Sequence, residues 1–561
     1  MRLLTNPFLL LAAACVKAGT VTYQWEVSWV NAAPDGFSRP VIGVNGAWPC
    51  PTIEATVGDT VVVQLTNKLG NQTTGIHFHG INQVNTDYMD GPSGVTQCPV
   101  PPGSSITYSF TVDAPGTYWY HSHNMGQYPD GFRGPMIVHD PVDPYKGQYD
   151  EEVILTVSDW YHSQSLDLVR KMLSPNNTQF QPPIPNGIIV NEGRSGRINF
   201  VKGKTYRVRI ISFAALGSAM IHFDSHTMRV IMNDASYVQK TDTYQLRVSP
   251  AQRYDVLISA IDRDRRNYPF LVSLDINRDF ANDATLRWPY NFTGYLAMDP
   301  AGDFTQKDVV TKWRPADDSR FSPLVPEPPI GPVTKTVKLD FTFCIDANGI
   351  PRACFNGQPM VPQKVPTLYS VATTGNDNTN PLVYGAVNPF IFKMGDIVEV
   401  ALNNIDAAIH PFHLHGHQFQ VLDRPASGAG RWSGRSTSST GSVPRRDTVS
   451  VNANSYVVIR FKVDWPGVYL FHCHIEWHVE MGLTATFIEA PEQLRGIQFP
   501  QDHLDNCRKM NIPYQGNAAG NTQNPLDQSG MQTVPDTTYN GAMYTPASTP
   551  RLRSRIVRKS L

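Results

Sequence analysis

Short runs in which apolar and polar residues alternate recur along the chain, and each predicts a half-buried strand with a period of two. Thr60–Thr66 (TVVVQLT), Ser105–Val112 (SITYSFTV) and Tyr206–Ile211 (YRVRII) are the clearest early examples, and Phe270–Ile276, Ile397–Leu402 and Tyr456–Val463 continue the theme. Before position 470 no amphipathic pattern longer than about a dozen residues suggests a helix; Tyr161–Leu173 is the best short candidate. Many short strands and few helices predict an all-β fold of stacked sandwiches.

The pattern also repeats at long range. Gly58–Asn67 (GDTVVVQLTN) is echoed by Gly395–Asn404 (GDIVEVALNN), and Ala114–His123 (APGTYWYHSH) by Asp464–His474 (DWPGVYLFHCH). Two domains of one design, 19–145 and 336–514, therefore carry histidine clusters at matching edges, and 146–300 has strand patterns without such a cluster and spaces the other two. A connector rich in Pro and Asp is expected over 301–335. Residues 515–561 are poor in apolar side chains and predict a disordered, solvated tail with a basic end, Arg551–Lys559. At the start, the apolar run Phe8–Cys15 followed by Val16, Lys17 and Ala18 predicts a signal peptide over 1–18.

Composition narrows the class. The chain has 561 residues, enough for three or four domains, and 41% of them are hydrophobic. Only 17% are charged and the net charge is -1, so no basic field would attract nucleic acid. No stretch beyond the leader reaches the roughly 20 apolar residues of a membrane span. A monomer that is secreted, or kept in the secretory pathway or cell wall, is the expectation, and the sequons at Asn71, Asn176 and Asn291 suit that route. Of the seven cysteines, Cys15 leaves with the signal and Cys473 is read below as a ligand; the remaining five allow at most two disulfides and leave their connectivity open.

Ten of the sixteen histidines fall into four clusters: His77 with His79, His121 with His123, His410 with His413 and His415, and His472 with His474 and His478. On a strand, His-x-His points both imidazoles to one face. Four such pairs from two domains can converge on one metal cluster, although imidazole alone does not name the metal. Cys473 lies between His472 and His474, so its thiol must point the other way, toward a second site that His410 and His478 can complete. That is the His2Cys set of blue copper.

In order and spacing the four clusters resemble the multicopper oxidases, a family that includes laccases, fungal ferroxidases and ascorbate oxidase, over roughly residues 25 to 495. The resemblance implies three consecutive cupredoxin-like Greek-key β-sandwich domains and four copper ions, one type 1, one type 2 and two type 3, which reduce O2 to water. Carried over by motif, type 2 copper takes His77 and His413. One type 3 copper takes His79, His121 and His474, and the other His123, His415 and His472. Type 1 copper takes His410, Cys473 and His478, with the non-coordinating Leu483 in the axial place. Asp90 and Glu476 resemble the family's proton-delivery residues, and Cys98 with Cys507 a laccase disulfide. His417, two residues past a ligand, reads as structural.

The electron donor is the least determined part. Ser158–His162 (SDWYH), Pro183–Pro185 (PIP), His410–His417 and Arg445–Thr448 (RRDT) resemble fungal iron-oxidising enzymes of the plasma membrane, and Asp406 matches one of their iron-binding acids. A second acid of that family falls on Pro182, the third lies loosely among Asp275, Asp279 and Asp283, and the membrane anchor has no counterpart. A pocket of Pro and Phe residues around Pro182 therefore predicts a phenolic substrate from pigment or secondary metabolism, with Asp406 accepting the phenol proton. The alternative is a ferroxidase, which alone would call for an iron permease as partner.

Overall fold

A computed structural model describes residues 18–193, 196–261, 266–275, 279, 290–435 and 441–535. The signal-peptide residues 1–17, Asp283 and the basic end Arg551–Lys559 lie outside the described residues. The alternating runs become strands close to their expected bounds. Thr60–Asn67 buries Val61, Val63 and Leu65 completely and turns Thr60, Val62 and Gln64 outward, as a sheet with one face on a core requires.

The strands form six sheets that stack in three pairs. In the first pair, the sheet holding Thr20–Ala32 and Thr60–Asn67 faces the one holding His77–His79 and Gly116–His121. The second pair is built on Thr205–Ser212 and Arg253–Ser259 facing Ala219–Phe223 and Tyr268–Leu274. The third is built on Ile397–Asn404 and Ser455–Lys462 facing His410–Leu414 and Gly467–Cys473. In each sandwich one inner strand runs parallel to its neighbour, as Thr20 does to Thr60 and Lys335 to Val398. Three tandem cupredoxin-like β-sandwich domains result.

The domains are not beads on a string. The largest apolar core joins Trp119 and Tyr128 of the first sandwich, Ile211 and Phe213 of the second and most of the third. The short helix expected within Tyr161–Leu173 is Ser165–Met172, and its first residue gives its N–H to the Asp130 carboxylate at 3.0 Å, so an acid of the first domain neutralises that helix end.

Two expectations change. The connector 301–335 has little regular structure, but it is pinned: Phe321 is buried in the second core, and Asp318 accepts from Arg446 and Tyr254. The tail is ordered beyond 515 as far as Pro535, which corrects the expected disorder over that stretch. Ala518 donates to the Val383 carbonyl at 2.9 Å and accepts from Lys364 at 3.1 Å, while the buried Asn517 amide donates to the Pro525 and Asp527 carbonyls. Few apolar residues are needed because backbone and amide hydrogen bonds hold the segment.

Two disulfides form, Cys98–Cys507 and Cys344–Cys354, and Cys50 stays a buried thiol. The first ties the helix Gln501–Lys509 to the first domain across 409 residues of sequence, where Asp502 also accepts from the Thr107 N–H at 2.7 Å. Both imply an oxidising compartment during folding. Replacing Cys98 and Cys507 together by Ser is expected to cost about 2–5 kcal/mol. Hydrogen exchange should then quicken in Gln501–Lys509 while the second domain keeps its protection.

Candidate metal centre

Strand register builds the site. His77 lies opposite His121 in the first domain, and His413 lies opposite His472 in the third. Phe412 pairs with Cys473, so alternation sends His413 and His472 to one face and Phe412 and Cys473 to the other. Across the domain interface the His79 and His413 rings stack at 3.7 Å and those of His77 and His415 at 4.0 Å, with His123 5.2 Å from His472 and His121 5.4 Å from His474. The eight imidazoles make one cluster, all but His123 fully buried.

Hydrogen bonds decide which nitrogen of each ring is left over. A carbonyl oxygen only accepts, so a ring nitrogen bonded to one must carry the proton and its partner nitrogen must present a lone pair. Nδ1 of His77 donates to the Asp90 carbonyl at 2.9 Å, that of His121 to Ser122 at 3.0 Å, that of His413 to Asp447 at 2.8 Å and that of His472 to Cys473 at 2.8 Å. His415 gives its Nδ1–H to the Asp90 carboxylate at 2.7 Å. His79 is reversed: its Nε2 faces Asp447 Oδ1 and Thr448 Oγ1, each at 3.2 Å, which frees Nδ1.

The nitrogens left over are buried without a hydrogen-bond partner: Nε2 of His77, His121 and His413, Nδ1 of His79 and both nitrogens of His474. So many orphaned polar atoms turned to one space would be costly unless a metal takes their lone pairs. Burial, and after it the charge of neighbouring imidazoles, holds His79, His121, His415, His472 and His474 well below the ordinary histidine range and His123 at about 3. Neutral rings are the form that binds metal. Donor atoms of His77, His413 and His415, of His77, His79 and His121, and of His123, His415 and His472 lie within 4.8 Å of one another in each group.

Behind Cys473 a second set forms. Nδ1 of His410 stands 3.9 Å and Nδ1 of His478 3.7 Å from the Cys473 sulfur. Burial pushes the thiol well above its ordinary value, so a thiolate here needs a cation beside it. Phe341 packs 4.6 Å from the His410 ring, Phe343 5.5 Å from His478, and Leu483 is fully buried. Thiolate plus two imidazoles, with a separate cluster of eight imidazoles, fits one type 1, one type 2 and two type 3 copper ions.

The carboxylates fall into two kinds. Asp90 touches the cluster directly through His415, and Asp406 touches the mononuclear set, its Oδ2 2.8 Å from His410 Nε2. Glu476 opens the short helix Glu476–Glu480, and its N–H donates to the Ala215 carbonyl at 2.9 Å. Burial, and after it the charge of Glu480, raises Glu476 well above the usual carboxylate range. His417 bonds to Glu489 at 3.0 Å and stacks on Trp465, away from the cluster.

Asp447 is the residue that sequence reasoning overlooked. Its side chain faces His79 and accepts from Thr448, its carbonyl accepts from His413, and Arg253 of the second domain clamps both carboxylate oxygens at 2.7 and 2.6 Å. Burial would raise its pKa, but Arg253 and the bonds from His413 and His79 hold it well below the usual range. Gly80, at φ +91°, leaves room: a Cβ there would stand 2.7 Å from Arg253 Nη2. The Arg445–Thr448 motif carried the signal, but only as wording, since Arg253 is 194 residues away.

Multicopper oxidase family domains match residues 26–143, 151–288 and 360–493. The chain belongs to the multicopper oxidases and uses copper and O2. Among them it is a fungal-type member. It is 46% identical to the iron transport multicopper oxidase fetC of Epichloe festucae, over 92% of this chain and 84% of that one, and 41% identical to FET3 of Gibberella zeae, over 94% and 86%. The crystal structure of Fet3p, a multicopper oxidase that functions in iron import, superposes with a TM-score of 0.86 at 35% identity, covering 92% of this chain and 99% of that one. A laccase from Botrytis aclada gives 0.78 at 27%, over 91% and 95%.

These relatives overturn the expected phenolic reductant and, with it, the laccase-like role in pigment or secondary metabolism. The physical reason is visible at Pro182. The hollow there, about 340 Å³, is lined by Lys171, Asn176, Asn177 and Gln181 beside Leu168, Met172 and the prolines, and reaches neither His410 nor His478. Phe180 packs on Phe343 instead of lining a substrate pocket. No helix among the described residues is long and apolar enough to cross a membrane.

Asp447→Asn is expected to take from buried Arg253 the nearer of its two carboxylate partners, leaving Asp234 at 3.5 Å, at a cost of up to about 3–5 kcal/mol. A fall in Tm together with substoichiometric copper after dialysis is the measurement; an unchanged copper content would show that Asp447 does not orient His79 and His413.

Proposed function

We propose that this oxidase is a ferroxidase that takes electrons from Fe(II) beside the type 1 site and passes them to O2. The carrying observation is Asp406. Its carboxylate is 28% exposed, one hydrogen bond from His410, and its Oδ2 also accepts from the Ala408 N–H at 3.1 Å. One oxygen is thus fixed and the other can take an iron ion at the surface. Hard oxygen donors favour Fe(III) over Fe(II), so the carboxylate helps the electron leave. The names of the relatives support the same substrate.

Only part of the acid set found in iron-oxidising relatives would act here. Asp275 and Asp279 are buried on Arg247, which leaves Asp406 as the iron-facing acid among the described residues near His410. Burial would raise the pKa of Asp406, but the hydrogen bond and charge of His410 outweigh it and hold it at about 2.

His410, Cys473 and His478 would hold type 1 copper, His77 and His413 type 2, His79, His121 and His474 one type 3 ion, and His123, His415 and His472 the other. Copper at these places supplies one-electron acceptance at the first site and four-electron reduction of O2 at the others. The chain supplies the route: Cys473 is joined to His472 and His474 by the backbone, and the His472 Nδ1–H bond to the Cys473 carbonyl shortens the path. Asp90 and Glu476 would deliver protons, Asp90 by its contact with His415 and Glu476 as a buried acid whose pKa burial raises. The enzyme would work in the secretory pathway or outside the cell. The sandwich boundaries read from the sequence, 19–145, 146–300 and 336–514, serve as the functional division.

Asp406→Ala is expected to lower kcat/KM for Fe(II) by about 10–100-fold while oxygen uptake with an organic one-electron dye persists; equal losses for both donors would sink the iron role. Because the Asp406 pKa is depressed, the carboxylate is ionised at every pH above its ordinary 3.8, and the Fe(II) profile should show no Asp406 inflection between there and neutrality. Cys473→Ser should abolish the red thiolate-to-copper absorption together with activity.

A further inference from the structure

A cavity of about 280 Å³ lies where the first and third domains meet, and His123, Met125, Met360, Pro362, Leu470 and Glu480 are among the residues that wall it. Leu470 is buried, the two methionines and Glu480 are half-buried and Pro362 is exposed, so the space runs from the surface down to the imidazole cluster. His123 is the one ring of the eight that is not fully buried. The type 2 and type 3 copper ions have to reach nitrogens that the strands otherwise seal off, and among the described residues this cavity leaves room for that.

The backbone fixes both methionines at this wall. Met125 has φ +48°, in the left-handed region that a side chain of its size rarely adopts. Its neighbours compel it: Asn124 Nδ2 and Gln127 Nε2 both donate to the Thr73 carbonyl, at 2.9 and 2.7 Å. Strain held in this way by surrounding hydrogen bonds clusters at functional places. The Met360 N–H donates to the Gly482 carbonyl at 2.9 Å. Gly482 has φ +100°, and a Cβ there would stand 3.0 Å from Pro359 Cβ, so glycine lets the Met360 segment come up against the residue before Leu483. Met360 also packs against the apolar cluster that includes Val95 and Leu470. Methionine fills gaps in many cores, yet here two of them line a gap and leave it open.

We propose that Met125 and Met360 form a transit site for Cu(I), by which copper enters the imidazole cluster during assembly of the enzyme. The two thioethers hold the ion in the cavity and hand it on to His123: copper–sulfur bonds give way to a copper–nitrogen bond, the charge of the ion is unchanged and no electron moves. Thioethers are soft, uncharged donors that select Cu(I). Imidazole suits Zn and Fe as well as Cu, so the cluster's own ligands discriminate poorly, and soft donors at the way in add the selection. The charges of the wall are compatible with a cation. Glu480 is its acid, and its base, Arg352, is taken up by Asp346 Oδ2 at 2.9 Å and the Pro535 carbonyl at 3.3 Å. The inference rests on the imidazole cluster as a copper site and is independent of which donor reduces the enzyme.

The first test takes the copper-loaded enzyme and adds Ag(I), a soft ion of the same charge that is not redox-active here. After gel filtration the wild type should retain one Ag(I) more per chain than the double variant Met125→Leu with Met360→Leu, a swap that conserves volume, and X-ray absorption should show sulfur neighbours for that ion. Equal Ag(I) on the two proteins overturns the site. In the second test the full chain is stripped of copper and reloaded without O2, with Cu(I) in one series and Cu(II) in another, and copper retained per chain is measured at timed intervals. Loss of the thioethers should slow Cu(I) entry by about 10-fold, the scale on which losing a supporting contact weakens a metal site. Entry of Cu(II), to which a thioether offers little, should keep its rate. An unchanged Cu(I) rate overturns the proposal, and so does equal slowing of both ions, which would mean that the substitutions only narrowed the cavity.

Discussion

Hydrogen bonds from imidazole N–H groups to fixed acceptors are the constraint on which the rest of the site depends. An imidazole can offer a lone pair from either nitrogen, and eight of them in one space could settle in many combinations of tautomers. The carbonyls of Asp90, Ser122, Asp447 and Cys473 remove that freedom, because each can only accept and each lies against Nδ1. Three of these acceptors belong to backbone next to the strands that carry the histidines, so the tautomer is inherited from the fold. Among the eight, His79 is the one whose Nε2 meets fixed oxygen acceptors, and these are side chains. That one reversal is why Asp447 matters more than its neighbours.

Through Asp447 the middle sandwich acquires a part in the chemistry. Arg253 enters from the second domain, donates to the Thr117 carbonyl of the first at 2.8 Å and clamps Asp447 of the third. Asp159 of the second domain accepts from the N–H groups of Ala215, Leu216 and Gly217, and the Ala215 carbonyl in turn receives the Glu476 N–H. An ion pair buried this deeply gains little net stability over an apolar pair. Its value is geometric, in setting where two strands from distant domains stand relative to each other.

Much of this was legible beforehand, for definite reasons. Val61, Val63 and Leu65 alternate with polar residues, and a strand buried on one face has no other way to look. The His-x-His pairs and the offset of Cys473 follow from the same period of two, which is why both metal-binding sets could be placed from spacing alone. What stayed hidden was long-range and non-periodic. Arg253 and Asp447 carry no mark of their meeting, and Cys344 could not be paired with Cys354 without their strands. The tail to Pro535 is held by amide and backbone bonds that composition does not register. The phenolic expectation fails because Pro182 borders a hollow that reaches neither His410 nor His478, while Phe180 packs on Phe343, and neither placement can be read from the local sequence.

The pairing of His413 with His472 also limits how this molecule can change. Removing one residue from Gly467–Cys473 would turn Cys473 toward the imidazole cluster and its flanking histidines toward the mononuclear site, exchanging soft and borderline donors between two places that need opposite ones. Both sites would be lost in one event, and no point substitution elsewhere could restore either. Length in these two strands is therefore untouchable, and insertions and deletions that spare the copper chemistry are confined to connections outside them.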